Sequence, residues 1–258
     1  MKISIDPSKS VYGNAAEYFD AAKKLKKKAT DTGKAVNDSE KELQDVGKEA
    51  IKREESKRAA PPKKQFYHEF HWFFTSEGLL AIGGKEAKQN ELVVKKHLKE
   101  NDLFFHADIH GASAVVLKDG KTKASEKSLQ ETAQFAGCYS SAWRARLPSV
   151  DVYAVGKDQV STSALTGEYL AKGSFLITGK KQYFKGMEMK MYLGGDKEGN
   201  IRIVPSSASD TGYLICYELI PGKREKEDIA KELTGELGIK ADEIASLLPG
   251  RSEVKKVK

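Results

Sequence analysis

Two consecutive prolines, Pro61-Pro62, split this chain into parts with different periodicities, and no single element can run through them. Proline fixes φ, lacks an amide N–H and biases the residue before it toward extended backbone, so a helix must end there. Before the prolines, apolar and small residues recur in steps of three and four. Val11, Ala15, Tyr18, Ala22, Leu25 and Ala29 form one series, and Val36, Ser39, Leu43, Val46 and Ala50 form another. Such steps average 3.5 residues and keep one stripe of an α-helix facing a partner. Thr30-Asp31-Thr32-Gly33, between the series, is turn chemistry. The spacing predicts an antiparallel two-helix coiled-coil hairpin over residues 1–60, each arm of about 20 residues extending ~30 Å. Its alanine-rich seam buries little area, so the hairpin is expected to be marginal alone. The run Lys23, Lys24, Lys26, Lys27 and Lys28 reads either as a solvated helix face or as an arm touching phosphates.

Residues 61–258 follow a different grammar. FYHEFHWFFT (66–75) is aromatic and strand-like, and Ser76-Glu77-Gly78 turns into LLAIGG, which predicts a hairpin. Helices are expected over 85–99 and 126–146, with strands near 102–107, 114–117, 151–155, 174–178, 188–193, 200–204 and 213–219. Two small helices are expected at 225–235 and 241–248. Strands grouped around a few helices, without βαβ repeats, predict an α+β domain: a mixed, β-rich body with packed helices.

Composition excludes several classes. Of 258 residues, 39% are hydrophobic, too many for a disordered chain. No apolar run approaches the ~20 residues of a membrane span, and residues 1–15 lack the apolar stretch of a secretory signal. Cys138 and Cys216 are the only cysteines and show no CxxC spacing, which argues against a disulfide framework or a cysteine zinc site and for a cytoplasmic chain. The net charge is +7, with 16 basic and 11 acidic side chains among residues 1–64. That balance suits a polyanionic partner without proving one.

Two clusters carry candidate chemistry. All five histidines (68, 71, 97, 106 and 110) fall within 43 residues. In an extended segment, His106, Asp108 and His110 share one face, and two imidazoles with a carboxylate are ligand types of an open metal site. The same side chains equally suit a polar network pinning a turn at Gly111, or contacts to a phosphate or base edge of bound RNA. The second cluster is Lys172 to Lys190, where five lysines face one acid, Glu188. Lys180, Lys181 and Lys185 interleave with Tyr183, and lysines neutralise phosphates while ring faces stack unpaired bases. An ordinary hairpin with a lysine rim explains the segment about as well. No GxxxxGK[ST], GxSxG or HExxH is present, so nucleoside triphosphate, esterase or zincin chemistry is not expected.

FHWFFTSEGLLAIGGKEAKQNELVVKKHL, DLFFHADIHGASAVVLK, AQFAGCYSSAWRA and QVSTSALTGEYLAKGSFLITGKK, in that order, resemble the NFACT RNA-binding domain of the nuclear export mediator factor and RqcH-type proteins. SKSVYGNAAEYFDAAKKLKKK resembles the start of that family's coiled-coil middle region, and the ending resembles its archaeal branch. The resemblance implies a role on a large ribosomal subunit obstructed by peptidyl-tRNA. Members hold that subunit and bring in tRNA for untemplated C-terminal tailing, while peptidyl transfer belongs to the ribosome; no catalytic residue and no cofactor are therefore expected. The family's signatures fall on His106, Asp108, His110 and Gly111, on Thr166, Gly167, Glu168 and Tyr169, and on Gly179, Lys180 and Lys181. Two motifs depart from the pattern. Ser161-Thr162-Ser163 stands where relatives read Ser-Lys-Thr, and Thr178-Gly179-Lys180 where they read Arg-Gly-Lys. The family's amino-terminal glycosylase-like domain is missing, so a separate chain is a candidate to supply it.

The sequence reading is a non-enzymatic module binding tRNA or rRNA and the large ribosomal subunit, through Lys180, Lys181, Tyr183, Lys185, His106, Asp108, His110, Thr166 and Glu168. The alternatives are a metal-dependent RNA-processing enzyme using His106, Asp108 and His110, or a coiled-coil protein-interaction scaffold.

Overall fold

The structure, a computed structural model, describes residues 4–28, 65–163, 173–195, 201–208 and 214–257. The chain divides into two units, Met1–Lys64 and Gln65–Lys258.

In the first unit, residues 11–28 form one helix (α1). Its start is built by side chains that satisfy early amides. Ser10 Oγ accepts from the Gly13 N–H at 3.1 Å, and Asn14 Oδ1 accepts from the Asp6 N–H at 2.8 Å. Asn14 Nδ2 donates back to the Asp6 carbonyl at 3.0 Å, so the Asp6–Lys9 turn is folded onto the helix. Val11, Tyr18 and Leu25 of the expected seam are exposed. The second arm of the expected hairpin lies outside the described residues.

The second unit is α+β with antiparallel sheets. Its larger sheet has six strands in the order β1-β2-β4-β3-β5-β8. They are β1 (His71–Phe74), β2 (Leu80–Gly83), β3 (Leu103–Ala107), β4 (Val115–Leu117), β5 (Ser149–Gly156) and β8 (Gln182–Glu188). The short pair β6 (Val160–Ser161) and β7 (Leu176–Ile177) lies between β5 and β8 in sequence. A four-stranded sheet, β10-β9-β11-β12, comprises β9 (Met191–Gly195), β10 (Ile201–Pro205), β11 (Leu214–Arg224) and β12 (Ser252–Lys256).

Alternation along the strands divides the core between the two faces of the larger sheet. Phe73, Phe105, Val115, Val152 and Phe184 face one side, where they meet Ala133, Phe135 and Ala136 of α4 (Glu126–Cys138). Phe104, Ile82, Val116 and Val155 face the other, covered by Val93, Val94 and Leu98. Val93 and Val94 come from the π-helical turn Val93–His97 that continues α2 (Ala87–Leu92), and Leu98 follows it. Each such side chain, fully buried, contributes about 1.5–3 kcal/mol. Gly137 lets α4 lie close on the sheet, because a Cβ there would stand 3.0 Å from Val150 Cγ1. The β1–β2 turn is tied to α4 by the buried Glu131, which accepts from Ser76 N (2.8 Å) and Ser76 Oγ (2.6 Å).

Several expected boundaries are corrected. Phe66–Glu69 is a 3₁₀ turn, and the strand begins only at His71. The long helix expected over 126–146 is two helices. Ser140 stops α4 and caps α5 (Ser141–Arg144), its Oγ accepting from the Ala142 N–H at 3.2 Å. The tail helices are α6 (Lys226–Leu237) and α7 (Ala241–Leu247). Between β4 and α4, Gly120–Lys123 forms a single helical turn, α3. No helix among the described residues is long and apolar enough to cross a membrane.

Candidate nucleic-acid interface

The edge strand β8 and its entry turn carry most of the described candidate residues. Phe184 turns inward (5% exposed) and meets Phe105, their ring centres 5.8 Å apart. One residue earlier, Tyr183 turns to the opposite face and is 46% exposed. Register places Tyr183 beside Tyr153 of β5, and Tyr153 beside His106 of β3. The result is a row of rings across three strands, with centres 6.2 Å and 5.8 Å apart. Lys181, two residues before Tyr183 and so on the same face, sets its Nζ 4.0 Å from the centre of the Tyr153 ring. The ammonium is held by the ring's negative face while still reaching solvent.

Lys180 and Lys185 are exposed on either side of this row. The chain enters β8 through Gly179, at φ +75°, and the Gln159 amide holds that entry by donating to the Thr178 and Lys180 carbonyls at 2.8 and 3.0 Å. A bulge follows Lys185, where Gly186 at φ +65° donates its N–H to Asp151 Oδ1 at 2.8 Å. Lys190 is different. It pairs with Glu188 at 3.1 Å and Glu218 at 3.9 Å, so its charge is already compensated. Among the described residues the expected lysine cluster thus narrows to Lys180, Lys181 and Lys185; Lys172 lies outside them.

Burial keeps the row neutral in its centre. It lowers the pKa of His106, further opposed by Lys181 and His110, against smaller opposite effects of the Ala107 backbone and Asp108. Burial, then Asp108 and Tyr183, push the Tyr153 hydroxyl up to about 12. Of the three rings Tyr183 is the exposed one, beside the Lys181 ammonium on the buried Tyr153, which suits base stacking next to a phosphate contact.

The shared face expected for His106, Asp108 and His110 is corrected. β3 ends at Ala107, the Asp108 N–H still donates to the Asp151 carbonyl at 2.8 Å, and the Ile109 N–H folds back to the Ala107 carbonyl at 2.8 Å, so strand alternation stops after Asp108 and does not reach His110. Among the described residues no three His, Cys, Asp or Glu side chains are grouped to hold a metal ion. The turn is pinned instead by Ser141, whose Oγ donates to the His110 carbonyl (2.6 Å) and whose N–H donates to the Gly111 carbonyl (3.0 Å). Thr166 and Glu168 lie outside the described residues. The sequence reading missed Tyr153, which joins the histidine turn to the lysine segment; only its position in a strand of alternating residues signalled it.

Beyond His106 and Tyr153 the face opens into a cleft of about 550 Å³, at the end of the sheet where β2 and β3 finish. His71 lies in it, stacked on Tyr139 with ring centres 3.8 Å apart. Burial, with Lys85 and Lys226 nearby, pushes the His71 imidazole down to about 3. Lys85 and Arg144 also line the cleft.

The fold and this surface define an α+β domain with cations and stackable rings along one sheet edge. Residues 69–179 match the family described as NFACT protein RNA binding domain, and the chain belongs to the NFACT family. It is 38% identical over 196 residues to the ribosome quality control complex subunit NEMF homolog of Drosophila melanogaster, covering 74% of this chain and 20% of that protein. It is 32% identical over 199 residues to the archaeal Rqc2 homolog aRqcH of Methanocaldococcus jannaschii, covering 75% of this chain and 30% of that protein. The chain thus spans less than a third of the length of either relative. Among solved structures, the C-terminal part of a fibronectin/fibrinogen-binding protein from Streptococcus suis aligns at 24% identity and a TM-score of 0.38, over 51% of this chain and 49% of that one.

Proposed function

We propose that this chain is a non-enzymatic module that binds RNA, in tRNA or rRNA, on the large ribosomal subunit during rescue of stalled ribosomes. The observation that carries the reading is the row His106–Tyr153–Tyr183 with Lys181 seated on its central ring. Unpaired bases stack on such rings while the backbone meets the lysines. The family match and the names of the two relatives support the ribosomal setting, which is cytoplasmic. In this reading the lysine-rich first unit, as a helical hairpin, extends the contact to further phosphates. Functions residing in the rest of the relatives' length, tail addition among them, require domains beyond those described, in this or a partner chain.

The test is sedimentation of the purified chain with large ribosomal subunits carrying peptidyl-tRNA, against vacant large and small subunits. Salt-labile co-sedimentation with the obstructed large subunit is expected. Equal recovery with small subunits, or none at low salt, would end the ribosome reading.

A further inference from the structure

The open row does not account for the cleft beyond it. Four side chains converge there without a hydrogen bond or ion pair from the described residues, although the His71 ring stacks on Tyr139. Among the described residues, no hydrogen bond or ion pair involves the imidazoles of His71 and His110, the Lys85 ammonium or the Arg144 guanidinium, and all four line the cleft. Asn90, Ser113 and Ser140 in the same walls are engaged by the protein instead. Asn90 bridges the Ala112 carbonyl and the Ala114 N–H, Ser113 donates to the Gly84 carbonyl, and Ser140 donates to the Gly137 carbonyl. The contrast separates groups that build the cleft from groups that face its contents. Glu86 is the one carboxylate among the described residues of the lining.

The chemistry of the unengaged set is mixed in a specific way. Two cations recognise an anion, and Arg144, held above the turn at Gly111, has a planar fork suited to phosphate oxygens. An imidazole ring offers nitrogens that can donate or accept a hydrogen bond, which matches the edge of a base better than a second phosphate. Phe175, Ile109 and Tyr139 supply apolar wall. A volume of about 550 Å³ lies within the ~300–1,000 Å³ of sites that enclose one small organic ligand. His106 and Tyr153 belong to both the cleft wall and the open row, so the two surfaces are continuous.

We propose that the cleft is a receptor for one unpaired nucleotide of the RNA lying along β8, its base among His71, His110 and the apolar wall and its phosphate on Lys85 and Arg144. This rests on the RNA-binding reading above and adds a site to it. RNA readers that recognise single-stranded segments characteristically splay out bases in this manner.

The test is NMR on the intact chain, following the Gly111 and Ser174 amides and the His71 and His110 imidazoles. The four nucleoside monophosphates, inorganic phosphate and a mixed-sequence single-stranded oligoribonucleotide are titrated separately. Saturable shifts at the cleft are expected with at least one monophosphate and with the oligonucleotide, weakened roughly tenfold or more in Lys85→Gln/Arg144→Gln. Both positions are exposed, so the double variant should keep its thermal transition. Oligonucleotide shifts confined to Lys181, Tyr183 and Lys185 would overturn the cleft assignment and leave the RNA reading standing. Equal affinity for inorganic phosphate and monophosphates would overturn the nucleotide assignment. No oligonucleotide binding anywhere would overturn both.

Discussion

Charge reversal along β8 separates phosphate contact from base stacking. Replacing Lys180, Lys181 and Lys185 by glutamate removes three cations from one strand and its entry turn. If each meets a phosphate of single-stranded RNA, the slope of log affinity against log salt loses ~0.7 in magnitude per contact, or ~2 in all. Tyr183→Ala removes an exposed ring from the row and should cost ~1–3 kcal/mol, about 5- to 150-fold in affinity, with the slope unchanged because stacking releases few counterions. Stability should respond unevenly. Lys180 and Lys185 are solvated, so their replacement should stay within about 0.5 kcal/mol. Lys181 sits 4.0 Å over the Tyr153 ring, a contact of ~0.5–1 kcal/mol. The triple variant should therefore melt only ~2–4 °C lower. The assay is fluorescence anisotropy with labelled single-stranded RNA across a salt series, beside thermal unfolding. A folded triple variant with unchanged affinity and slope would refute the assignment.

Three further outcomes are expected. Asp102 is buried and accepts from the Lys99 N–H (2.7 Å), the Asp119 N–H (2.8 Å) and the Lys118 ammonium; Asp102→Ala should cost ~3 kcal/mol and lower the melting temperature by ~6–12 °C. The folded-state pKa of His71 lies below its ordinary value, so the folded form binds fewer protons. Its contribution is intact above about pH 6.5 and is lost as pH falls toward 3, and His71→Phe, which retains a ring on Tyr139, should flatten the melting-temperature profile in that window. Dialysis against zinc or manganese should leave no stoichiometric metal, whereas one ion per chain, lost in His106→Ala, would revive the enzyme reading.

Much of the second unit was legible because its local signals agree with its packing. The FHWFF–SEG–LLAIG segment gave the β1–β2 hairpin, and the apolar runs at 103–107 and 115–117 gave paired strands. Errors fell where a polar residue redirected the chain. Apolar periodicity alone carries a helix from 126 to 146, but the Ser140 cap ends it, and the Ser140-Ser141 pair was the signal. β8 reads as a lysine rim because its apolar residues, Tyr183, Phe184 and Met187, do not alternate, the bulge at Gly186 shifting the register between them. β12, SEVKK, went unseen because charged edge strands carry little apolar signal. At the site, the histidine and lysine clusters were visible as compositions. Their connection through Tyr153 was not, since it depends on the β3–β5–β8 register, and the convergence of His71, Lys85 and Arg144 depends on the start of β1, the segment after β2 and α5 meeting in the fold.

The claim that β8 and its neighbours meet RNA is tested most directly by photo-cross-linking the native chain to its bound RNA and mapping the attached peptides. The account predicts adducts on residues 103–107, 149–156 and 182–188, with Tyr183 prominent. Adducts confined to the four-stranded sheet and to α6 and α7, with residues 182–188 unmodified, would contradict it.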